Sequence, residues 1–259
     1  MNPYIGHETQ LSGVEEHRLV GGKGDGMRLY EATNGKGLEL TLSPDRNGDI
    51  TRLRYKGINM SYFSPCGYVA PAYYDKTGSN WLQSFTAGFL TTCGLQAVGT
   101  PCTDDGEELP LHGSIANQPC AHSYWDENEK EIRIHSVTKD EVIFGRKLVL
   151  KRTVTISKEE NTFSIDDHIE NTGSKTEPME ILYHMNMGYP ILDEDSEVTI
   201  PSVEVRHVMI MLRRTLPTGC IWKNLRVIIR KDAIITNSKV LMAKQASISK
   251  IKCWTGNQF

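Results

Sequence analysis

The sequence contains no long apolar run. Uninterrupted apolar stretches in its 259 residues are only a few residues long, whereas a helix that crosses a bilayer needs about 20. Residues 1–13 have neither a basic start nor a hydrophobic stretch, so they do not resemble a secretory signal. We therefore expect a cytoplasmic protein that has no membrane partner.

Motifs of several common site classes are also missing. The six cysteines form no Cys-x-x-Cys pair and no His-x-x-x-His spacing is present, so we expect no zinc site and reduced thiols. GGKGDGM at 21–27 is followed by the strand-like RLYEAT rather than by a helix, which argues against a nucleotide site. No Gly-x-Ser-x-Gly elbow is present. The sequence predicts neither a metal nor a cofactor.

Acidic residues are scarce in the last fifth of the chain. Residues 1–207 contain 19 Lys and Arg against 31 Asp and Glu, whereas 208–259 contain 10 against the single acid Asp232. This segment is either a basic surface element or a sequence foreign to the fold before it, truncated or frame-shifted. A nucleic-acid arm would bind DNA with a steep salt dependence, but no recognition motif is present, so we expect no nucleic-acid partner. We predict one domain over 1–207 and an atypical basic segment over 208–259.

Alternating apolar residues, typical of strands, dominate the rest of the chain. The predicted strands are 37–43, 49–55, 131–137, 141–157, 161–171, 179–187 and 197–205. The turn PDRNG separates the first two, and TKD at 138–140 is the predicted turn between the third and fourth. The segment 141–157 is one long strand or two strands joined at a bend, and its predicted buried face begins at Val142 and Phe144 and includes Arg152. No 12-residue stretch shows helical periodicity, so we predict an all-β sandwich.

Two histidine motifs, LHGSIANQP at 111–119 and ILYHMNMGYPILDE at 181–194, place an imidazole near an Asn amide. On a strand, alternate residues of the second motif point to opposite faces. One face then carries Leu182, His184 and Asn186, and the other, a predicted core face, carries Tyr183, Met185 and Met187. The alternative is a histidine that is satisfied within the core.

The first motif follows the acidic loop TDDGEELP, and Gly113 lets the backbone approach closely. An ordinary turn is the alternative here. Arg46, in PDRNGDI, offers a rigid fork of donors that suits vicinal hydroxyls or a carboxylate, although turns also carry solvated Arg. Imidazoles beside neutral amides favour an uncharged, polyhydroxylated ligand. A sugar is therefore the predicted small-molecule partner.

At these residues the chain resembles the aldose 1-epimerase (galactose mutarotase-like) superfamily, and within it the branch called DUF4432. The shared series is SPDRNGDI (43–50), YKGINMSYFSP (55–65), FTAGFLTTCGL (85–95), LHGSIANQP and LYHMNMGYPILDE, and it spans residues 15–206. The resemblance implies a β-supersandwich of two large antiparallel sheets, with the sugar in a cleft on one concave face. The C-terminal part of this fold would be atypical or incomplete here.

The implied reaction interconverts the α and β anomers of a free aldose by acid–base catalysis. The resemblance makes His184 the general acid and His112 a hydrogen-bond partner near the reacting oxygen, and Arg46, Asn117 and Asn186 candidate hydroxyl contacts. A histidine suits proton transfer because its ordinary pKa is about 6.5.

The chain departs from the family pattern at two places. Some members carry an Arg shortly after the His-Gly pair, where this chain has Ser114, Ile115 and Ala116. The family's general base is a Glu near the C-terminus, and no Glu follows Glu204. The sequence therefore supports two hypotheses, a mutarotase-type isomerase and a non-catalytic sugar-binding or sugar-sensing module that has lost the base.

Overall fold

The computed structural model describes residues 3–201, 226–230, 241–242 and 245–254, with side chains for residues 3–196. The strands are β1 (Gly13–Arg18), β2 (Arg28–Thr33), β3 (Leu38–Ser43), β4 (Asp49–Tyr55), β5 (Ile58–Asn59), β6 (Leu90–Leu95), β7 (Cys102–Asp104), β8 (Glu107–Leu109), β9 (His122–Glu127), β10 (Glu131–Glu141), β11 (Lys147–Ser157), β12 (Thr162–Asn171), β13 (Pro178–Met185), β14 (Glu197–Pro201), β15 (Arg226–Arg230), β16 (Leu241–Met242) and β17 (Gln245–Trp254).

Short 3₁₀ turns provide the helical structure of the described residues. They are Glu8–Gln10, Gly22–Gly24, Pro44–Arg46, Pro71–Tyr73, Asn80–Ser84 and Ile115–Asn117. Together with the strands they confirm the prediction of an all-β fold without long helices. Within the described part of the chain, no helix has the length and apolar character needed to cross a membrane.

Two five-stranded antiparallel sheets form the body of the fold. The first has the order β1-β2-β3-β4-β5 and the second the order β17-β12-β11-β10-β9. A third sheet, β16-β13-β6, carries the second histidine motif, and β7 and β8 form a small hairpin. Strands β14 and β15 pair in parallel, whereas the pairs within the three larger sheets are antiparallel. The predicted sandwich is confirmed.

The core lies between the first two sheets. The central strands contribute side chains from one face, mostly at every second residue, and these side chains are almost completely buried. They include Leu38, Leu40, Leu42, Ile50 and Leu53 from the first sheet and Ile132, Ile134, Val154, Ile156, Phe163 and Ile165 from the second. A second apolar cluster joins the third sheet to the second one, with Leu95 and Met179 packed near Leu148, Leu150 and Ile169. Strands β6 and β13 are thus fixed against the sandwich.

Several predicted strands match the structure closely. The segments 37–43 and 49–55 are β3 and β4, and the predicted turn between them contains Asn47 in the left-handed region, with a φ of 58°. The segment 161–171 corresponds to β12, and 179–187 overlaps β13 from its second residue to its end. Of the predicted strand 197–205, β14 covers the first five residues, and the remainder lies outside the described residues.

The predicted turn at 138–140 is wrong. Strand β10 continues to Glu141, which pairs with Lys147 at the start of β11, so the hairpin tip is 142–146. Asp140 is buried and accepts a hydrogen bond from Nε of Arg146, at 3.1 Å, which holds the strand ends together below the tip. Because Arg146 pairs with its charge, Asp140 can occupy a buried strand position where the sequence predicts a turn.

The shifted turn also changes which residues are buried. The predicted buried face included Val142 and Phe144, but both lie in the tip and are 43% and 91% exposed. From Leu148 onward the predicted alternation holds, and it includes Arg152, which is buried in the same register as its apolar neighbours. A charged side chain therefore lies inside the sandwich.

Candidate functional site

His184 lies on β13 and points away from the core. Its neighbours Tyr183 and Met185 pack against the main core, as predicted for that face of the strand. Met187, predicted on the same core face, is 39% exposed because β13 ends at Met185. His184 is opposite Thr91 of β6, and its ring is half-buried. The alternation predicted for the second motif is therefore correct within β13.

His112 reaches the same place from the loop that follows β8. Gly113 lies so close to β6 that a Cβ atom there would be 2.3 Å from the carbonyl oxygen of Gly94, and its φ is +73°. The N–H of Gly94 donates to the carbonyl of His112 at 3.0 Å. The predicted close approach at Gly113 is confirmed, because only a residue without Cβ fits both the space and the φ.

The two imidazoles converge. Their ring centroids are 5.7 Å apart and the planes are at 79°, an edge-to-face contact. Trp81 meets the His112 ring at 4.9 Å and Phe85 meets the His184 ring at 5.5 Å, and these two aromatic side chains stack on each other at 4.5 Å. Residues more than seventy positions apart in sequence thus form one cluster of two imidazoles and two aromatic rings.

The aromatic partners were missed in the sequence. Trp81 is 1% exposed and lies in the 3₁₀ turn Asn80–Ser84, outside any alternating strand pattern. The available signal was the spacing of Trp81 and Phe85, two aromatic residues four apart in a segment with no strand of its own. In the structure Trp81 packs against His112 of the loop and Phe85 against His184 of β13.

The tautomer of His112 is set by the backbone. The N–H of Gly99 donates to Nδ1 of His112 at 3.3 Å. A ring nitrogen that accepts a hydrogen bond carries no proton, so in the neutral ring the proton lies on Nε2. Burial, and then the neighbouring His184, lower the pKa of His112. At neutral pH His112 is therefore a neutral donor through Nε2–H.

Arg46 lies beneath the His112 segment, and its described contacts are with the backbone. Its Nε donates to the carbonyl of Ala116 at 2.6 Å, and Nη1 donates to the carbonyls of Val69 and Ser84 at 2.9 and 3.0 Å. Burial lowers the pKa of Arg46 to about 10, so it remains charged at neutral pH. Nε and Nη1 are not available to a sugar hydroxyl. Arg46 ties three loops together.

The two predicted asparagines differ in how they are placed. Asn117 is 3% exposed; its Oδ1 accepts from the hydroxyl of Ser84 at 3.2 Å, and its Nδ2 has no partner among the described residues. Asn186 is half-buried just beyond β13, and its Nδ2 donates to the carbonyl of His184 at 3.0 Å. Asn186 therefore presents its Oδ1 near His184, whereas Asn117 belongs to the packing below His112.

Several other side chains do not belong to this cluster. His168 is half-buried on β12, on the face opposite Phe163 and Ile165. Ser114, Ile115 and Ala116 occupy the loop and 3₁₀ turn after Gly113. Among the side chains that the structure describes, no group of three His, Cys, Asp or Glu could hold a metal ion. The cysteines with described side chains, Cys66, Cys93, Cys102 and Cys120, are free thiols.

A buried ion cluster lies on the opposite face of the same strand pair. Arg152 makes two hydrogen bonds to Asp167, at 2.8 and 2.7 Å, and one to Asp49 at 2.7 Å. The Tyr183 hydroxyl donates to Asp167 at 2.8 Å, and the Thr92 hydroxyl donates to Asp49 at 2.6 Å. The cluster joins β4, β6, β11, β12 and β13 behind the histidine pair, and its only sequence signal was Arg152 in an apolar register.

Comparison with solved structures places the chain among epimerase-like folds. It is 28% identical to a protein from Klebsiella pneumoniae subsp. pneumoniae that is proposed to be an aldose 1-epimerase, with a TM-score of 0.64 over 74% of this chain and 53% of that one. The Slr1438 protein of Synechocystis sp. PCC 6803 is 15% identical, with a TM-score of 0.51 over 66% of this chain and 58% of that one, and supports the fold alone.

A galactose 1-epimerase from Lactobacillus acidophilus NCFM aligns with 12% identity and a TM-score of 0.47, over 67% of this chain and 52% of that one, too distant to support an argument. The chain thus spans about half the length of the solved structures it matches. No curated protein matches it in sequence.

The mutarotase-like resemblance predicted from the sequence is confirmed by these findings. Residues 24–210 match the family model described as a domain of unknown function, DUF4432. Because this match covers well over half of the chain, the protein belongs to the DUF4432 family.

Proposed function

We propose that this protein is a carbohydrate isomerase of the mutarotase type, which interconverts the α and β anomers of a free aldose. The observation that carries the proposal is the convergence of His112 and His184, 5.7 Å apart between ring centroids, beside the aromatic rings of Trp81 and Phe85. The similarity to the Klebsiella protein, itself proposed to be an aldose 1-epimerase, supports the same reaction class.

In the proposed mechanism His184 gives a proton to the ring oxygen of the sugar while a base removes the proton of the anomeric hydroxyl. The C1–O5 bond breaks, C1 becomes an aldehyde carbon, and rotation about C1–C2 exposes its other face. Closure reverses both proton transfers, so no net proton is gained or lost. General acid–base help of this kind contributes about 10²–10⁴-fold per group.

His112 has a different part in this proposal. Its Nδ1 is held as an acceptor by Gly99, so Nε2–H can donate a hydrogen bond to a sugar oxygen without giving up its proton. The lowered pKa of His112 keeps the ring neutral, which avoids a positive charge beside His184 when that residue is protonated. Two histidines with different tasks can therefore work side by side.

The neighbouring side chains suit an uncharged ring. We propose that the half-buried ring of Phe85 offers apolar surface to the C–H face of a sugar, with the buried ring of Trp81 stacked against it, and that Oδ1 of Asn186 is a hydroxyl acceptor. We propose that Arg46 and Asn117 support the His112 segment from below, because their described hydrogen bonds go to protein atoms.

Polarimetry tests the proposal. Freshly dissolved α-glucose, α-galactose and other aldoses should reach anomeric equilibrium faster with the protein than in buffer. The His184→Gln variant should lose about 100-fold or more of this acceleration, whereas replacing the exposed His17 of β1 by Gln provides the matched control. Equilibration at the buffer rate with every sugar, both for this chain and for a longer member of the family, would reject the function.

A second candidate is a sugar-binding or sugar-sensing module that does not catalyse anomerisation. The specific observation in its favour is that no Glu follows Glu204, where the resemblance places the general base. Calorimetric binding of an aldose together with anomerisation at the background rate would select this function over the first.

The division into a mutarotase-like domain over 1–207 and a basic segment over 208–259 stays a prediction. Strands β15, β16 and β17 fall within the second part. We propose that its composition reflects a sequence foreign to the family, and intact-mass measurement with resequencing of the coding region tests this. An unaltered reading frame at both levels would leave a native basic element as the explanation.

A further inference from the structure

A carboxylate on the site face of β13 is bonded to the loop that holds His112. Glu180 is on the same strand as His184 and, four residues away, points to the same side. It is opposite Leu95 at the end of β6, and its side chain is half-buried. Neither the sequence motifs nor the catalytic proposal uses this residue.

The contact from Glu180 to His112 passes through two consecutive residues. Oε2 of Glu180 accepts a hydrogen bond from the N–H of Val98 at 3.0 Å. The next N–H, that of Gly99, donates to Nδ1 of His112 at 3.3 Å, and the carbonyl of Gly99 accepts from the N–H of His112 at 2.9 Å. One short stretch of backbone therefore binds the carboxylate on one side and the imidazole on the other.

This stretch lies outside the strands. Val98 and Gly99 follow the end of β6 and precede β7, so they belong to no strand. A Cβ atom at Gly99 would meet nothing within 4 Å, and the φ of +88° is one that glycine adopts freely. The bond from the Val98 N–H to Glu180 therefore anchors this flexible stretch on the side away from His112.

We propose that Glu180 is a positioning residue, which fixes the Val98–Gly99 backbone and thereby holds His112 in the tautomer that presents Nε2–H to the sugar. This inference rests on the proposed function for its role in catalysis. The structural part, that Glu180 sets the tautomer of His112, can be tested whether or not the protein is an isomerase.

The influence of Glu180 on His112 is geometric. Burial and the neighbouring His184 account for the lowered pKa of His112, so the charge of Glu180 is not required to explain it. If the carboxylate acts by reaching Val98, a neutral side chain of the same length should replace it. A shorter carboxylate, which keeps the charge but is one methylene group too short to reach Val98, should not replace Glu180.

A series of three variants separates reach from charge. Glu180→Gln keeps the reach without the charge, Glu180→Asp keeps the charge without the reach, and Glu180→Leu removes both. The readout is ¹⁵N NMR of the histidine rings, in which the protonated and unprotonated nitrogens of a neutral imidazole resonate far apart. Glu170→Leu, which removes a carboxylate of β12 bonded to Lys151, is the matched control, and thermal melting monitors folding.

The wild type and Glu180→Gln are expected to show His112 with an unprotonated Nδ1 and a protonated Nε2. Glu180→Asp and Glu180→Leu are expected to show averaged signals from both tautomers, while the signals of His184 change less. If Glu180→Leu does not fold, the comparison of Gln with Asp still decides. His112 signals in Glu180→Asp that match the wild type would overturn the proposal. A change of the His112 ¹⁵N shifts in Glu180→Gln as large as that in Glu180→Asp would also overturn it.

Polarimetry then separates this inference from the function. If the protein is active, kcat should fall about 10- to 100-fold more in Glu180→Asp than in Glu180→Gln, as for other residues that fix the tautomer of a functional histidine. An inactive wild type with the expected NMR pattern would reject the isomerase and leave the positioning role intact. An active wild type with no change in tautomer or kcat in the Asp variant would reject the positioning role alone.

Discussion

The two faces of the β6–β13 strand pair are built in opposite ways. Tyr183 and Thr92, paired across the strands, both bond into the ion cluster formed by Asp49, Arg152 and Asp167. One residue further along, His184 and Thr91 point the other way, where the neighbouring side chains are imidazole and aromatic. A single step along each strand separates a fully buried charged network from a half-buried site of imidazole and aromatic rings.

On the buried face, hydrogen bonds and opposite charges stabilise ionised side chains in the protein interior. Burial raises the pKa of Asp49, and the nearby Arg152 opposes that effect. Burial alone would lower the pKa of Arg152, but Asp167 and then Asp49 raise it. Each ion is held by several short bonds, so the cluster fixes the relative positions of five strands. Among the side chains that the structure describes, the site face has no such ion cluster, and the positions of His112 and His184 depend on the strands behind them and on the loops that hold His112, Trp81 and Phe85.

Removing the cation of the buried ion cluster should have the largest effect on stability. Arg152→Met leaves two carboxylates buried without their cation, and we expect a loss of about 3–5 kcal/mol in the free energy of unfolding, measured by urea denaturation. Arg133→Met removes a partly exposed surface arginine that pairs with Asp126 and Glu131, and should lose less than about 1 kcal/mol. Equal losses in the two variants would mean that the cluster does not stabilise the strand arrangement.

On the site face, the most sensitive position is Gly113. Its Cβ would lie 2.3 Å from the carbonyl oxygen of Gly94 and 2.7 Å from that of Ala97, at a φ of +73°. We expect Gly113→Ala to lower the free energy of unfolding by about 2–4 kcal/mol and to displace His112 from His184.

Gly106 supplies the matched control for this substitution. Its φ is +81° but a Cβ would meet nothing within 4 Å, so Gly106→Ala isolates the backbone strain, about 1–2 kcal/mol. If the two alanine variants were equally stable, the close approach of the His112 loop to β6 would have no energetic weight.

The smallest expected effect is a pH dependence that arises on the site face. The pKa of His112 is lowered from its ordinary value of 6.5 by burial and then by His184. As the pH falls, the unfolded chain binds this proton first, so the contribution of His112 to stability is complete above about pH 6.5 and is lost as the pH falls towards the folded-state pKa. Because the ring is half-buried, the slope should stay well below about 1.4 kcal/mol per pH unit.

Urea titrations of the wild type and His112→Asn at about pH 7.5 and about pH 5 measure this effect. Asn is chosen because it tolerates the left-handed φ of 58° at this position. The stability advantage of the wild type should shrink at the lower pH, and His17→Asn controls for the loss of a histidine as such. An advantage that grows on acidification would contradict the sign of the pKa shift.

The fold could be predicted to a large extent because strand periodicity records burial directly. The alternation in β12 and the turn between β3 and β4 are visible in the letters alone, and so is the outward direction of His184. The hairpin tip at 142–146 could not be placed, since Val142 and Phe144 continue an apolar pattern that the folded chain leaves exposed. A pattern of residue types cannot show that Asp140 is neutralised by Arg146 and so extends β10.

The site could be predicted only in part. Both histidines were identified, and the structure brings them together. Arg46 could not be assigned from its type, because whether a guanidinium meets a ligand or three backbone carbonyls depends on which loops fold over it. Trp81 and Phe85 carried no strand pattern to suggest their place, and Glu180 gave no signal beyond its position on β13.

The local sequence alone predicted the strands, the closely packed Gly113 and the two histidines of the site. These features depend on neighbours a few positions away and on the steric demands of a single residue. The meeting of His112 with His184, the tautomer of His112 and the burial of Arg152 were decided by the packing of distant segments. Each of these depends on a contact between residues tens of positions apart, and no one-dimensional spacing determines which backbone N–H or carboxylate will lie within 3 Å.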